Sequence, residues 1–155
     1  MELARNLKVE CVSRLNPTPP RCVGPDQTVA DAVALMRRHR VGCLLVCAGE
    51  RVLGLFTERD LMRRVLAQGR PLSDRVSDHM TPDPVTVSPH EPISAAVRRM
   101  EEGGYRHLPV VDRGGKPRGI LSVKRIVHYL VEHFPSTIYN LPPDPAAYPL
   151  EPEGA

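Results

Sequence analysis

The apolar positions of this chain follow two periods, and they run through the same series twice. Val29, Ala32, Val33 and Met36 recur at i, i+3, i+4 and i+7, the buried stripe of an amphipathic helix. Thr28 and Asp31 stand where a capping box would close its N-terminus. Two short apolar runs follow, 43–47 and 52–56, with the turn Ala48-Gly49-Glu50 between them. That pattern predicts a pair of strands. A second helix is expected over 58–68. The series then restarts, with a helix beginning at Pro92, strands at 107–111 and 118–121 around Asp112-Arg113-Gly114-Gly115, and a helix at 123–133. Each series opens with a short strand before a proline-containing turn, Pro25-Asp26 or Pro89-His90.

The match holds residue by residue. An offset of 64 places Val23 on Val87, Ala32 on Ala96, Met36 on Met100, Leu44 on Leu108 and Val46 on Val110. One extra residue in the second turn makes the offset 65, which places Gly54 on Gly119, Thr57 on Ser122 and Leu61 on Ile126. The fold expected is mixed α/β (α+β), two tandem βαββα units. One such unit is too small to bury its helices and sheet well, so the two are expected to pack sheet to sheet with pseudo-two-fold symmetry. The boundaries read as an N-terminal extended segment 1–20, repeat 1 over 21–68, a linker 69–84, repeat 2 over 85–133 and a proline-rich tail 134–155. The linker is expected to carry a short helix near 73–80. The tail is expected to be extended, because its prolines interrupt helix and strand alike.

Composition narrows the function classes. A net charge of +3 without a concentrated basic stripe argues against a nucleic-acid surface. No apolar run approaches the roughly 18 residues of a membrane span, and the N-terminus opens no signal-like segment, so a cytoplasmic location is expected. The four cysteines, Cys11, Cys22, Cys43 and Cys47, include no CxxC, and no metal site is expected. Reduced thiols are expected, with Cys43 and Cys47 buried as small hydrophobes in their apolar run. No Ser-His-Asp set or carboxylate pair converges on one place, so no catalytic residue is assigned and the chain is not expected to be an enzyme.

The candidate chemistry lies at the strand-to-helix junctions, Gly54-Leu55-Phe56-Thr57-Glu58-Arg59-Asp60 and Gly119-Ile120-Leu121-Ser122-Val123-Lys124-Arg125. A helix N-terminus offers unpaired N–H groups and partial positive charge to a phosphate. The Thr57 hydroxyl can donate to a phosphate oxygen, and the Asp60 carboxylate can accept from two ribose hydroxyls. Thr57 and Asp60 also satisfy an ordinary capping box. Gly54 is expected to permit close packing or an unusual backbone angle.

With Tyr105-Arg106-His107-Leu108-Pro109-Val110-Val111-Asp112, these junctions resemble the CBS domain pair, also called the Bateman module, over residues 8–133. Repeat 1 carries the complete motif of Gly, two apolar residues, Thr or Ser, two variable residues and Asp. In repeat 2 Arg125 replaces the Asp, and a cation cannot accept from hydroxyls. The resemblance therefore implies one good adenine-nucleotide site per chain. Its phosphate would be met by Thr57, Arg106, His107 and Lys124, its ribose by Asp60, and its adenine by the strand entry at Val85 and Thr86. AMP is the leading ligand, with ADP, ATP and S-adenosylmethionine as alternatives, and no cofactor is required. The resemblance further implies a disk-like homodimer that passes ligand occupancy to a separate effector protein. The alternative is a ligand-independent dimeric scaffold or adaptor.

Overall fold

The computed structural model describes residues 2–135; most of the tail, including Ile138, Tyr139 and Leu141, lies outside them. The elements in chain order are α1 (Glu2–Val9), β1 (Cys22–Val23), α2 (Val29–His39), β2 (Cys43–Ala48), β3 (Arg51–Thr57), α3 (Glu58–Asp60), β4 (Thr81–Pro82), α4 (Ile93–Gly103), β5 (His107–Val111), β6 (Pro117–Ser122) and α5 (Val123–His133). The turn of α3 runs on into a π-helical stretch, Leu61–Leu66, so the helix expected over 58–68 is present over 58–66 with more residues to each turn. The linker holds a single 3₁₀ turn, Val76–Asp78.

Repeat 1 forms a sheet of order β1-β2-β3-β4, with β1 parallel to β2 and the other pairs antiparallel. In repeat 2, β5 and β6 pair antiparallel, and single bridges extend them on both sides, Val87 to Val110 and Thr18 to Ile120. The two sheets thus share one order of four places. Their ladders slip at equivalent points, Val46/Cys47 and Val110/Val111. The Thr28–Asp31 capping box is present, whereas Pro92 sits at the N-cap of α4 with no side-chain hydrogen bond.

Each repeat buries one face of its sheet against its helices. Leu44, Val46 and Phe56 meet Val29, Ala32 and Met36 in repeat 1; Leu108, Val110 and Leu121 meet Ile93, Ala96 and Met100 in repeat 2. The opposite faces meet each other, with Cys43, Leu45, Cys47 and Leu55 packed against Ile120. This is the expected sheet-to-sheet contact.

The N-terminal segment departs from the extended reading of 1–20. Residues Glu2–Val9 are helical, and Val12–Leu15 form a 3₁₀ turn. Leu7, partly buried against the repeat 2 core, explains the helix, since packing of an apolar stripe stabilises it more than propensity does. Val12 and Leu15 are wholly buried in that same core, although repeat 1 follows them in sequence. The linker returns the arrangement, because Val76 completes the core of repeat 1. The backbone bonds repeat at the 64-residue offset: Val12 N–H to the Glu91 carbonyl and Ser13 N–H to Pro89, against Val76 N–H to Gln27 and Ser77 N–H to Pro25.

Candidate functional site

A cavity of about 1110 Å³ opens between the repeats where β2 and β5 begin and β6 passes into α5. Repeat 2 contributes Arg106, His107, Ser122 and Lys124; repeat 1 contributes Gly42, Cys43, Glu58 and Leu61. The apolar side chains of Val33 and Met36 line it from α2, and the segment Thr18, Pro19 and Arg21 forms one wall. Thr18 is fixed there by a two-way backbone exchange with Ile120 and by its hydroxyl, which donates to the Ile120 carbonyl at 3.1 Å.

The electrostatics of this cleft are one-sided. Arg21, Arg37, Arg40, Arg106 and Lys124 line it, and among the described residues Glu58 is its one acidic side chain. Among the described residues none of these cations is held in an ion pair. Unpaired cations around a concavity with apolar walls attract and hold an anion with an apolar body. Burial pushes the His107 imidazolium below its ordinary pKa; Glu58 opposes the shift, and Arg106 and Lys124 reinforce it. His107 is therefore neutral near pH 7 and gains a proton more readily once an anion arrives. At the floor, Ser122 caps α5 by accepting from the Arg125 N–H at 3.2 Å. The first amide of α5 is also engaged, the Val123 N–H donating to the Arg106 carbonyl at 3.0 Å.

The sequence-derived residues divide into two groups. Arg106, His107 and Lys124 come together in the cleft, whereas Thr57, Asp60, Val85 and Thr86 are absent from its lining. Asp60 is 7% exposed, and both its oxygens are engaged. Oδ2 accepts from the Thr57 N–H and hydroxyl, each at 3.0 Å; Oδ1 accepts from the Thr81 hydroxyl at 3.1 Å and lies 3.4 Å from Arg64 Nε. Thr57 completes the capping box by accepting from the Asp60 N–H. Val85 is exposed, and the Thr86 carbonyl accepts from Arg99 at 3.0 Å. Gly54 serves close approach: a Cβ there would sit 2.7 Å from the Thr81 carbonyl of the adjoining β4, and its φ is not positive.

Sequence reasoning missed the wall at Thr18, Pro19 and Arg21. The signal was the 64-residue offset itself, which carries these residues onto Pro82, Asp83 and Val85, the entry to repeat 2. The offset of 65 that holds after the second turn makes Ser122, on the cleft lining, the counterpart of Thr57. Arg125 does not enter the cleft; it lines a smaller cavity of about 540 Å³ with Arg14, His128 and His133.

Comparison with known proteins agrees with this architecture. The family model of the CBS domain matches the chain twice, at residues 12–67 and 76–132. An uncharacterized 17.7 kDa protein of Acidianus ambivalens is 33% identical over 122 residues, 78% of this chain and 73% of its own. Two curated relatives from Arabidopsis thaliana are longer, and the match spans 19% of one and 55% of the other. Among solved structures, the CBS domain protein PAE2072 from Pyrobaculum aerophilum complexed with AMP superposes with a TM-score of 0.71 at 25% identity, over 79% of this chain and 99% of that one. CBSX2 in complex with AMP superposes with a TM-score of 0.66 at 28% identity, over 79% and 96%.

Proposed function

This chain belongs to the CBS-domain family, two such domains in tandem, and we propose that it is a regulatory module that binds an adenine nucleotide, AMP first among them, in the cationic cleft between its repeats. The observation that carries the proposal is the convergence of Arg106 and His107, at the entry to β5, and Lys124, at the start of α5, on one cavity with, among the described residues, no carboxylate but Glu58 to neutralise them. Charge-assisted bonds from a guanidinium and an ammonium suit a phosphate monoester. The AMP bound by two structural relatives supports the same ligand class.

The nucleoside end of the ligand rests on the open wall at Thr18, Pro19 and Arg21, against Val33 and Met36. Thr57 and Asp60, with Val85 and Thr86, are the proposed second position at the other repeat. A ribose enters there by replacing the Thr81 hydroxyl on Asp60, one hydrogen bond for another. ADP, ATP and S-adenosylmethionine compete for the same cleft.

Transmission follows from differential affinity: a ligand that bridges the repeats favours the arrangement in which both contact it, and an effector protein reads the difference. Self-association is proposed through the exposed apolar side chains of the two closing helices, Met62 and Leu66 in repeat 1 and Val123 and Val127 in repeat 2. The offset of 65 places Met62 on Val127, so the patch obeys the internal symmetry.

Titration calorimetry with AMP, ADP, ATP and S-adenosylmethionine tests the reading. Arg106→Ala and Lys124→Ala should each weaken AMP binding about 10- to 100-fold, the loss of one charge-assisted bond. Wild-type protein that binds none of the four, or unchanged affinity in the double variant, overturns it. A melting temperature unmoved by any nucleotide would instead leave the dimeric scaffold as the better account.

A further inference from the structure

Cys22 and Cys47 stand 25 residues apart in sequence, and their sulfurs lie 3.3 Å apart. The contact is built by parallel pairing: Cys22 is opposite Leu45, and Cys47 lies two residues beyond Leu45 on the same face of β2. Cys22 is exposed, whereas Cys47 is 7% exposed. All four cysteines are free.

We propose that Cys22 and Cys47 are a reactive thiol pair that oxidises to an intrachain disulfide, clamping edge strand β1 to β2 beside the cleft. The sulfurs must close from 3.3 Å to about 2.05 Å. Strand β1 can supply that movement, because it is two residues long and pairs on one side only. The ladder on β2 already slips at Val46/Cys47, which frees the Cys47 backbone from strict register.

The chemistry has a defined order. The Cys47 thiol donates to the Cys22 sulfur and holds the Cys22 pKa down to about 7; the same bond and burial push Cys47 up. Cys22 is thus the more readily ionised of the two and also the accessible sulfur, the two requirements of an attacking thiol. The oxidant is a low-molecular-weight disulfide. The Cys22 thiolate attacks one of its sulfurs and expels a thiolate, leaving a mixed disulfide on Cys22. Cys47 loses its proton to solvent or to the departing thiolate, attacks the Cys22 sulfur and expels the second thiolate. Two protein thiols are oxidised and one small disulfide is reduced to two thiols. The nearby Cys43 is excluded as a partner, since burial pushes its thiol up to about 12 and it makes no contact with another sulfur.

The site has a place in the architecture. Cys22 follows Arg21, a residue of the cleft wall, and the Arg21 carbonyl accepts from the Leu45 N–H of β2 at 2.8 Å. A covalent tie at Cys22 fixes that wall to the sheet of repeat 1. The inference does not depend on which ligand the cleft holds.

The test is to incubate the full chain with oxidised glutathione at pH 7.5, count free thiols and map the peptides by mass spectrometry. The expected result is a fall from four free thiols to two, with the crosslink joining Cys22 and Cys47. Dithiothreitol should restore all four. Cys22→Ser and Cys47→Ala should abolish the crosslink, and Cys43→Ala should retain it. Four thiols still free, a glutathione adduct that stops on Cys22, or a Cys22-to-Cys22 bond between two chains would each overturn the proposal.

Discussion

Asp60→Ala separates the structural work of the motif carboxylate from any part it plays toward a ligand. In the free protein Asp60 closes the capping box of α3, holds the Thr81 hydroxyl and pairs with Arg64. Loss of a cap costs about 1 kcal/mol. The variant also leaves the Thr57 amide and the Thr81 hydroxyl without their acceptor in a half-buried setting, worth about 1–3 kcal/mol together. The Arg64 side chain is about half exposed, so its pair adds little. The sum is about 2–4 kcal/mol, a fall of roughly 6–12 °C in melting temperature for a chain of this length. Differential scanning calorimetry of wild type, Asp60→Ala and Asp60→Asn measures it. Asparagine keeps an acceptor for the capping contacts and should recover about half of the loss. AMP titration of the same variants, below their melting range, reports binding separately. Asp60→Ala melting within about 1 °C of wild type would refute the structural reasoning, because a 7%-exposed carboxylate with four partners cannot be removed at no cost.

Three further outcomes follow. Gly54→Ala should cost about 1–3 kcal/mol, because its Cβ would press on the Thr81 carbonyl and push β4 away; it should be non-additive with Asp60→Ala in a double-mutant cycle, since both act through Thr81. Leu15→Ala should cost about 2–5 kcal/mol, and hydrogen exchange should quicken in α4 and α5 rather than in α2; quickening confined to α2 would contradict the shared core. His107 has a depressed pKa when folded, so its contribution to stability is complete above its unfolded value of about 6.5 and is lost as pH falls through the lower folded value. Thermal melts between pH 7.5 and 5 should show that loss, His107→Gln should reduce it, and AMP affinity should rise toward lower pH as the bound phosphate favours the imidazolium.

The repeat, the helix α2 and the strand pairs were legible in the sequence because each rests on local periodicity. Thr28 and Asp31 need only a spacing of three to announce a cap. Arg106, His107 and Lys124 were put forward by the family resemblance together with Thr57 and Asp60; the three line one cavity, and Thr57 and Asp60 do not join them there. What the sequence withheld depends on distant contacts. The occupancy of Asp60 is decided by Thr81, 21 residues away, and the contact of Cys22 with Cys47 by a parallel pairing that no local pattern encodes. Helix α1 was masked by Pro17, Pro19 and Pro20, which describe the segment after it and not the helix itself. The cleft wall at Thr18–Arg21 was within reach of the offset that revealed the repeats, but only when applied to the residues ahead of the first one.

The placement of Val12 and Leu15 in the core of repeat 2, and of Val76 in the core of repeat 1, means that the two halves are interlocked like clasped hands. Neither half is a separable part. A fragment cut at residue 68 takes from repeat 1 the side chain that fills its core, and a truncation past Leu15 damages a domain whose own sequence begins some seventy residues later. Each repeat lends its leading segment to the other. That exchange makes the cleft a joint property of both copies: its wall is carried by the very segment that crosses over.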